Sequence, residues 1–271
     1  MRHKRVRFWA TATNTIQAQV NALTSALTGM FNLMHQGLTT TPFETNGHVQ
    51  GQVKTFLQRF DAVFTLNQDL LLEKHYQPGI ELVGDRKFNG AYSPHIRLMH
   101  PPVGYDPDPV KSPRVPTDEA TFQVTPRTQP YFKLHGSMNW FDKAGGRLLV
   151  MGGNKTAAIS SNPLLKWYAD QFDEYLHRPD TRLMIIGYGF GDEHINQALL
   201  RAAAKGLKIF IVDPRGGDIL DRRAKFGIPG PPTGLMEMQP NIIGASRRPL
   251  TATFGGDDVE HARLMRFFEQ K

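Results

Sequence analysis

The sequence predicts an α/β protein with a doubly wound, Rossmann-like parallel sheet and helices on both faces. Short apolar runs rich in β-branched and aromatic residues occur at 61–66, 131–134, 182–186 and 207–212. Continuous runs of this kind are typical of strands that are buried on both faces. Amphipathic helical stripes lie between several of them, and strands that alternate with helices indicate a parallel sheet.

The individual elements follow in chain order. The first predicted helix carries apolar residues at the spacing of one buried face, namely Ile16, Val20, Leu23, Leu27, Met30 and Met34. Gly37 lies just beyond them and is predicted to end this helix. Further helices are predicted over 53–60, 165–176, 192–204 and 258–269, and an additional edge strand over 147–151.

Two stretches depart from this alternation. Residues 92–130 hold about half of the 19 prolines of the chain. Proline removes a backbone donor and fixes φ, so neither central sheet nor a long helix is predicted there. We interpret 92–130 as a proline-rich insertion in a domain that spans 1–226. The remainder, 227–271, is predicted to be an irregular segment followed by a C-terminal helix.

Composition excludes several classes of protein. The 271 residues are 40% hydrophobic, which is enough for a core and excludes wholesale disorder. The chain has no cysteine, so disulfides, cysteine nucleophiles and thiolate zinc sites are excluded. No apolar run approaches the ~20 residues that span a bilayer, and no signal peptide is evident, so the predicted location is the cytoplasm, with no membrane partner. The net charge of +7 permits nucleic-acid binding without indicating it.

Polar residues and glycines follow the predicted strands, where open parallel sheets bind their ligands. Asn67 and Asp69 follow the first strand. The second strand is followed by His135, Gly136 and Ser137. The third is followed by Gly187, Tyr188, Gly189, Phe190, Gly191 and Asp192, and the fourth by Asp213. This placement predicts a ligand site at one edge of the sheet.

Each of these residues also has a purely structural interpretation. The glycines let a phosphate approach a helix N-terminus, or they form a tight turn that Asp192 caps. His135 is suited to proton transfer near neutral pH, or it packs in the core. Asn67 and Asp69 are equally suited to capping a turn. Asp192 and His194 are not expected to face each other on a helix, so no metal site is predicted.

Three segments together resemble the sirtuin-like family, and in particular its branch in bacterial anti-phage defence. They are FTLNQD at 64–69, KLHGSMNW at 133–140 and IIGYGFGDEHIN at 185–196. The resemblance implies a Rossmann-type domain that binds NAD as its substrate. It implies that Asn67 orients the nicotinamide ribose and the attacking water, and that His135 acts on the ribose hydroxyls as a base or hydrogen-bond partner. The implied NAD-binding residues are Asp69, Gly136, Ser137, Gly187, Tyr188, Gly189, Phe190, Asp192 and Asp213.

The sequence departs from the family pattern in two respects. Deacetylating sirtuins hold a structural zinc with four cysteines, and their absence here implies cleavage of NAD to nicotinamide and ADP-ribose without zinc. The Gly-Ala-Gly-x-Ser loop that opens the family has no match before Asn67. That departure favours an alternative, a catalytically inactive module that senses a nucleotide or scaffolds a partner. The resemblance also implies a homo-oligomer, or a HerA-type ATPase or Argonaute-like partner.

Overall fold

The computed structural model describes residues 2–40, 52–76, 88, 90–100, 112–221 and 234–269. The helices are α1 (Arg2–Thr40), α2 (Gln52–Leu57), α3 (Leu71–His75), α4 (Lys155–Ser160), α5 (Pro163–Leu176), α6 (Glu193–Ala203), α7 (Leu250–Thr253) and α8 (Asp258–Met265). The strands are β1 (Val63–Thr65), β2 (Ala91–Tyr92), β3 (Ile96–Leu98), β4 (Arg114–Pro116), β5 (Gln129–Lys133), β6 (Gly136–Phe141), β7 (Arg147–Leu149), β8 (Arg182–Ile186), β9 (Lys208–Val212) and β10 (Ile242–Ser246). Short 3-10 helices lie at Glu119–Thr121, Gly216–Leu220, Gly234–Asn241 and Arg266–Phe268.

Parallel pairing dominates the strands that were predicted from the sequence. β5 lies between β1 and β2, and β9 lies between β8 and β10, with every pair in these two sheets parallel. A third sheet has the order β3-β4-β6-β7 and is mixed, with β7 antiparallel to β6 at its edge. The α/β class with parallel sheets flanked by helices is therefore confirmed, and so is the edge strand near 147–151.

The main core lies between the parallel strands and helices α5 and α6. Phe132 of β5, Tyr168 of α5, Leu199 of α6 and Ile211 of β9 are at most 1% exposed and belong to one apolar cluster. Burial of each such side chain stabilises the fold by roughly 1.5–3 kcal/mol. The side-chain oxygen of Asn162 caps α5 by accepting a hydrogen bond from a backbone N–H. The two parallel sheets and helices α5 and α6 thus share one apolar core beneath the strand ends.

Helix α1 packs with a different face from the one that the sequence predicted. Among the predicted core positions, Leu23, Met30 and Met34 are 62%, 45% and 42% exposed. The side chains of Ile16 and Val20 lie outside the described residues. Phe31 and His35 are buried instead, and Phe31 packs with Leu70 and Met138. The predicted buried face is therefore wrong at Leu23, Met30 and Met34, whereas Leu27 is half-buried and lies one helical turn before Phe31.

Gly37 does not end α1, which continues to Thr40. The hydroxyl of Thr40 donates to the carbonyl of Gly37 at 2.9 Å, and the carbonyl of Leu38 lies 3.3 Å from Nε2 of His75 in α3. A glycine inside a helix costs about 1 kcal/mol relative to alanine. Contacts with the body outweigh that cost here.

Two segments are more regular than the sequence predicted. β4 lies in the interior of the mixed sheet although it ends in Pro116, which pairs opposite Ile96. β10, in the segment predicted to be irregular, is the third strand of a parallel sheet. Gly244 interrupts its apolar pattern because a Cβ there would lie 2.6 Å from the ring of Phe210. Residues 101–111 and 222–233, which belong to these predictions, lie outside the described residues.

None of the helices in the described ranges, α1 included, combines the length and the apolar character needed to cross a membrane.

Candidate functional site

His135 lies two residues after the last residue of β5 and is held there through its backbone. His135 is only 4% exposed. Its carbonyl accepts a hydrogen bond from the side-chain amide of Gln68 at 3.0 Å and another from the N–H of Val150 at 3.0 Å. Gln68 also donates to the carbonyl of Val150 at 2.9 Å. Gln68 therefore ties the loop after β1 to the loop after β5, a role that sequence reasoning missed because it considered only the flanking Asn67 and Asp69.

The residue after His135 has to be glycine. Gly136 has φ +75°, and a Cβ on it would lie 1.9 Å from the carbonyl oxygen of Leu148. Neither the conformation nor the space tolerates a larger residue. Ser137, which follows, is fully buried, and its hydroxyl has no hydrogen-bond partner within the described residues. The chain therefore turns sharply at this point and holds the His135 side chain at the sheet edge.

A second histidine faces His135 from the start of α6. The Nε2 atoms of His135 and His194 are 3.2 Å apart, and their ring centroids are 5.2 Å apart. Asp192 precedes α6 with extended backbone geometry, and its carboxylate forms an ion pair with Lys155 of α4. One ligand atom from each of His135, Asp192 and His194 lies within 4.8 Å of the others. These four residues form what we call the His135 cluster.

The expectation that Asp192 and His194 do not face each other is wrong. That expectation applies the spacing rules of a continuous helix to both residues. Asp192 lies before the first turn of α6 with φ −99° and ψ 105°, so those rules do not apply to it. The alternative in which Asp192 serves only to cap α6 is also wrong, because its side chain makes no cap hydrogen bond to that helix. The sequence contained no signal for Lys155.

Burial keeps both histidines of the cluster neutral near pH 7. It lowers the pKa of His135 to about 4, an effect that Asp192 opposes and that Lys155 and His194 reinforce. Burial likewise lowers the pKa of His194, again opposed by Asp192 and reinforced by Lys155. A neutral imidazole has one acceptor nitrogen, so His135 offers a hydrogen-bond acceptor at physiological pH.

The loop after β1 has one exposed residue and one residue used in a turn. Asn67 is exposed, and its backbone N–H donates to the hydroxyl of Thr65 at 3.0 Å. Oδ1 of Asp69 accepts a hydrogen bond from the N–H of Leu71 at 3.0 Å, which is the turn-capping role. The buried Lys133 donates to the carbonyl of Asp69, and its Nζ lies 2.6 Å from Oε1 of Glu73. Asn67 is thus presented to solvent at the end of β1 on a loop that is firmly anchored.

The glycine-rich turn after β8 is stabilised from within. Gly187 is exposed with φ +62°, and Phe190 is buried with φ +53°. The hydroxyl of Tyr188 donates to Oδ1 of Asn196 at 2.9 Å, and Nδ2 of Asn196 donates to the carbonyl of Phe190 at 3.0 Å. Tyr188 and Phe190 therefore shape the turn, together with Asn196, which sequence reasoning did not select. A Cβ at Gly187, Gly189 or Gly191 would meet no atom within 4 Å among the described residues, so this turn has open space beside it.

Asp213 follows β9 and forms hydrogen bonds with residues close to it. Its N–H donates to the carbonyl of Ser246, and its Oδ1 accepts from the N–H of Arg215 at 2.9 Å. A cavity of about 430 Å³ adjoins the end of β10, lined by Gly217, Ala245, Arg247, Arg248, Glu260 and Arg263. The structure thus brings His135, Gly136 and Asp192 together, whereas Asp213 bonds to neighbours at the end of β9 and β10.

A family-level comparison agrees with this arrangement. The model of the SIR2-like domain matches residues 61–226, a range that contains β1, β5, β8 and β9 with the loops that follow them. No curated protein matches the chain significantly. Because the matched range covers more than half of the chain, the chain belongs to the SIR2-like family, which indicates an enzyme that uses NAD as its substrate.

Proposed function

We propose that this protein hydrolyses NAD to nicotinamide and ADP-ribose. The observation that carries the proposal is the buried His135 at a strand end, which Gln68 ties to the loop that carries the exposed Asn67. Family membership supports the substrate, and the geometry supports a proton acceptor at the place where open parallel sheets bind ligands.

The proposed reaction breaks the bond between the nicotinamide nitrogen and C1′ of the ribose. The bonding electron pair leaves with nicotinamide, and an oxocarbenium-like ribose forms. Water then attacks C1′, and its proton passes to the acceptor nitrogen of His135, directly or through a ribose hydroxyl. Asn67 orients the water and the ribose. Asp192, whose negative charge opposes the lowering of the His135 pKa, stabilises the protonated imidazole.

The diphosphate of NAD would lie against the Gly187–Gly191 turn. The turn is open on its outer side and leads into the N-terminus of α6, whose partial positive charge attracts anions. Lys155, which is 30% exposed on its side chain, supplies a positive charge beside the same turn. The proposed binding residues Tyr188 and Phe190 act by shaping this turn.

The alternative is a catalytically inactive module that senses a nucleotide or scaffolds a partner. One observation favours it, namely that the Asp69 carboxylate is already used to cap the turn at Leu71 rather than offered to a carboxamide. The two proposals differ in turnover. The inactive module binds NAD or ADP-ribose without releasing nicotinamide.

The deciding experiment incubates the purified chain with NAD and follows nicotinamide and ADP-ribose by chromatography. We expect His135→Ala and Asn67→Ala to lower kcat at least a hundredfold, which is the usual contribution of a positioned acid or base. The matched control is His177→Ala, which should keep full activity; His177 lies directly after α5, and its ring contacts the carbonyl of Asp173. Retained turnover in both site variants would exclude the proposed mechanism, and calorimetric binding of NAD without turnover would favour the inactive module.

A defence role and its partners belong to the same proposal. Depletion of NAD is toxic, so the activity requires a trigger, and we propose self-association as that trigger. The exposed stripe on α1, which we define as Leu23, Met30 and Met34, is an apolar surface available for it. A HerA-type ATPase or an Argonaute-like protein is the alternative trigger. Activity that rises more steeply than protein concentration would support self-association.

A further inference from the structure

The His135 cluster has the ligand set of a transition-metal site. Two imidazoles and one carboxylate offer three ligand atoms within 4.8 Å of one another. They come from separate elements, since His135 follows β5, Asp192 precedes α6 and His194 lies in the first turn of α6. We propose that this cluster binds a divalent transition metal ion such as Zn²⁺ or Co²⁺, and that the bound ion inhibits the enzyme.

The separation of the two imidazole nitrogens fits a tetrahedral ion. Zinc–nitrogen bonds of about 2.0–2.1 Å at the tetrahedral angle place two ligand nitrogens about 3.3 Å apart. The Nε2 atoms of His135 and His194 are 3.2 Å apart. An ion can therefore bind both rings with little movement of either side chain.

The third ligand has to be released from Lys155. The carboxylate of Asp192 forms an ion pair with Lys155, which shows that this position accepts a positive charge. Asp192 makes no cap hydrogen bond to α6, so its side chain is able to turn towards the two imidazoles once Lys155 withdraws. Lys155 is 30% exposed and has a long flexible side chain, so withdrawal into solvent is sterically open. The metal ion and the ammonium group thus compete for one carboxylate.

The ligand chemistry selects the kind of ion. Imidazole nitrogens suit Zn²⁺, Co²⁺, Ni²⁺ and Cu²⁺, whereas Mg²⁺ and Ca²⁺ prefer oxygen ligands. Three protein ligands leave a fourth position for water. A coordinated Nε2 of His135 no longer accepts a proton, so metal binding and NAD cleavage exclude each other. Only this inhibitory consequence rests on the proposed function.

The test measures binding directly and does not use NAD. The purified chain is stripped with EDTA, dialysed and titrated with Co²⁺, while the visible absorption of a tetrahedral complex is recorded. Displacement by Zn²⁺ then gives the relative affinity. We expect His194→Ala to weaken Co²⁺ binding at least tenfold and His177→Ala to leave it unchanged. If His194→Ala does not fold by circular dichroism, His194→Gln replaces it.

Lys155→Met provides the sharper criterion. Removal of the competing ammonium frees the Asp192 carboxylate, so Co²⁺ affinity should rise about tenfold. Equal affinity in wild type and His194→Ala would overturn the site, because the binding would then come from other histidines. Unchanged affinity in Lys155→Met would also overturn it, since Asp192 would not be a ligand. Failure of NAD hydrolysis in wild type leaves this binding result intact, so the two proposals are tested separately.

Discussion

The sequence predicts the strand ends of the sheet better than it predicts the contacts of helix α1. At the strand ends, His135 and Gly187 lie where the alternation of strands and helices predicts. On α1, an equally regular apolar spacing predicts a buried face, yet Leu23, Met30 and Met34 are exposed. The difference teaches that periodicity specifies which residues share a face, whereas the body of the protein decides which face is covered.

The largest effect expected at the strand ends concerns two glycines with similar backbone geometry. Gly136 has φ +75° and Gly187 has φ +62°. A Cβ at Gly136 would meet the carbonyl of Leu148 at 1.9 Å, whereas at Gly187 it would meet no described atom within 4 Å. We expect Gly136→Ala to lower the free energy of unfolding by more than about 3 kcal/mol, and Gly187→Ala by only about 1 kcal/mol of backbone strain.

Urea unfolding of both alanine variants checks this prediction. Equal losses of stability would show that backbone conformation, rather than contact with β7, explains the glycine at both positions. Such a result would weaken the claim that the turn after β5 is fixed by its surroundings.

The next largest effect is a dependence of stability on pH, which we expect to come from His135 at the strand ends and not from α1. The pKa of His135 is lowered to about 4 in the folded chain, against about 6.5 in an unfolded one. Between these values the unfolded chain binds a proton that the folded chain rejects, so stability falls as pH falls from 6.5 towards 4. We expect His135 to account for a loss of about 2 kcal/mol between pH 7.5 and pH 5.

The check is urea unfolding in EDTA buffer at both pH values, with His135→Gln alongside. The variant should lose less stability than wild type on acidification, although His194 still titrates in it in the same direction. An identical loss in the two proteins would mean that His135 is not held neutral by burial. NAD cleavage by a neutral His135 should likewise persist at pH 5 to 6.

The α/β class could be predicted from the sequence because it depends on local patterns, and the same patterns place the candidate site residues after the strands. Apolar runs at 182–186 and 207–212 give β8 and β9, and the residues after them reach one edge. Long-range contacts were not predictable in this way. Lys155 joins Asp192 from 37 positions away, and Gln68 reaches the carbonyl of His135 across 67 positions. β10 was not predicted because Gly244 interrupts its apolar pattern. The ring of Phe210 leaves no space for a side chain at that position.

The smallest effect on stability is expected on α1, and it distinguishes an exposed stripe from a buried one. Leu23, Met30 and Met34 are exposed, so replacing all three by glutamine should change the free energy of unfolding by no more than about 0.5 kcal/mol per position. Phe31 on the same helix is 4% exposed, and Phe31→Ala should cost about 3 kcal/mol or more as the matched control.

Sedimentation velocity at increasing protein concentration should show that the triple variant self-associates less than wild type, because the apolar stripe that two copies would share is gone. A triple variant that unfolds instead would show that the stripe is covered within the chain. A triple variant that associates as strongly as wild type would move the proposed contact between copies away from α1.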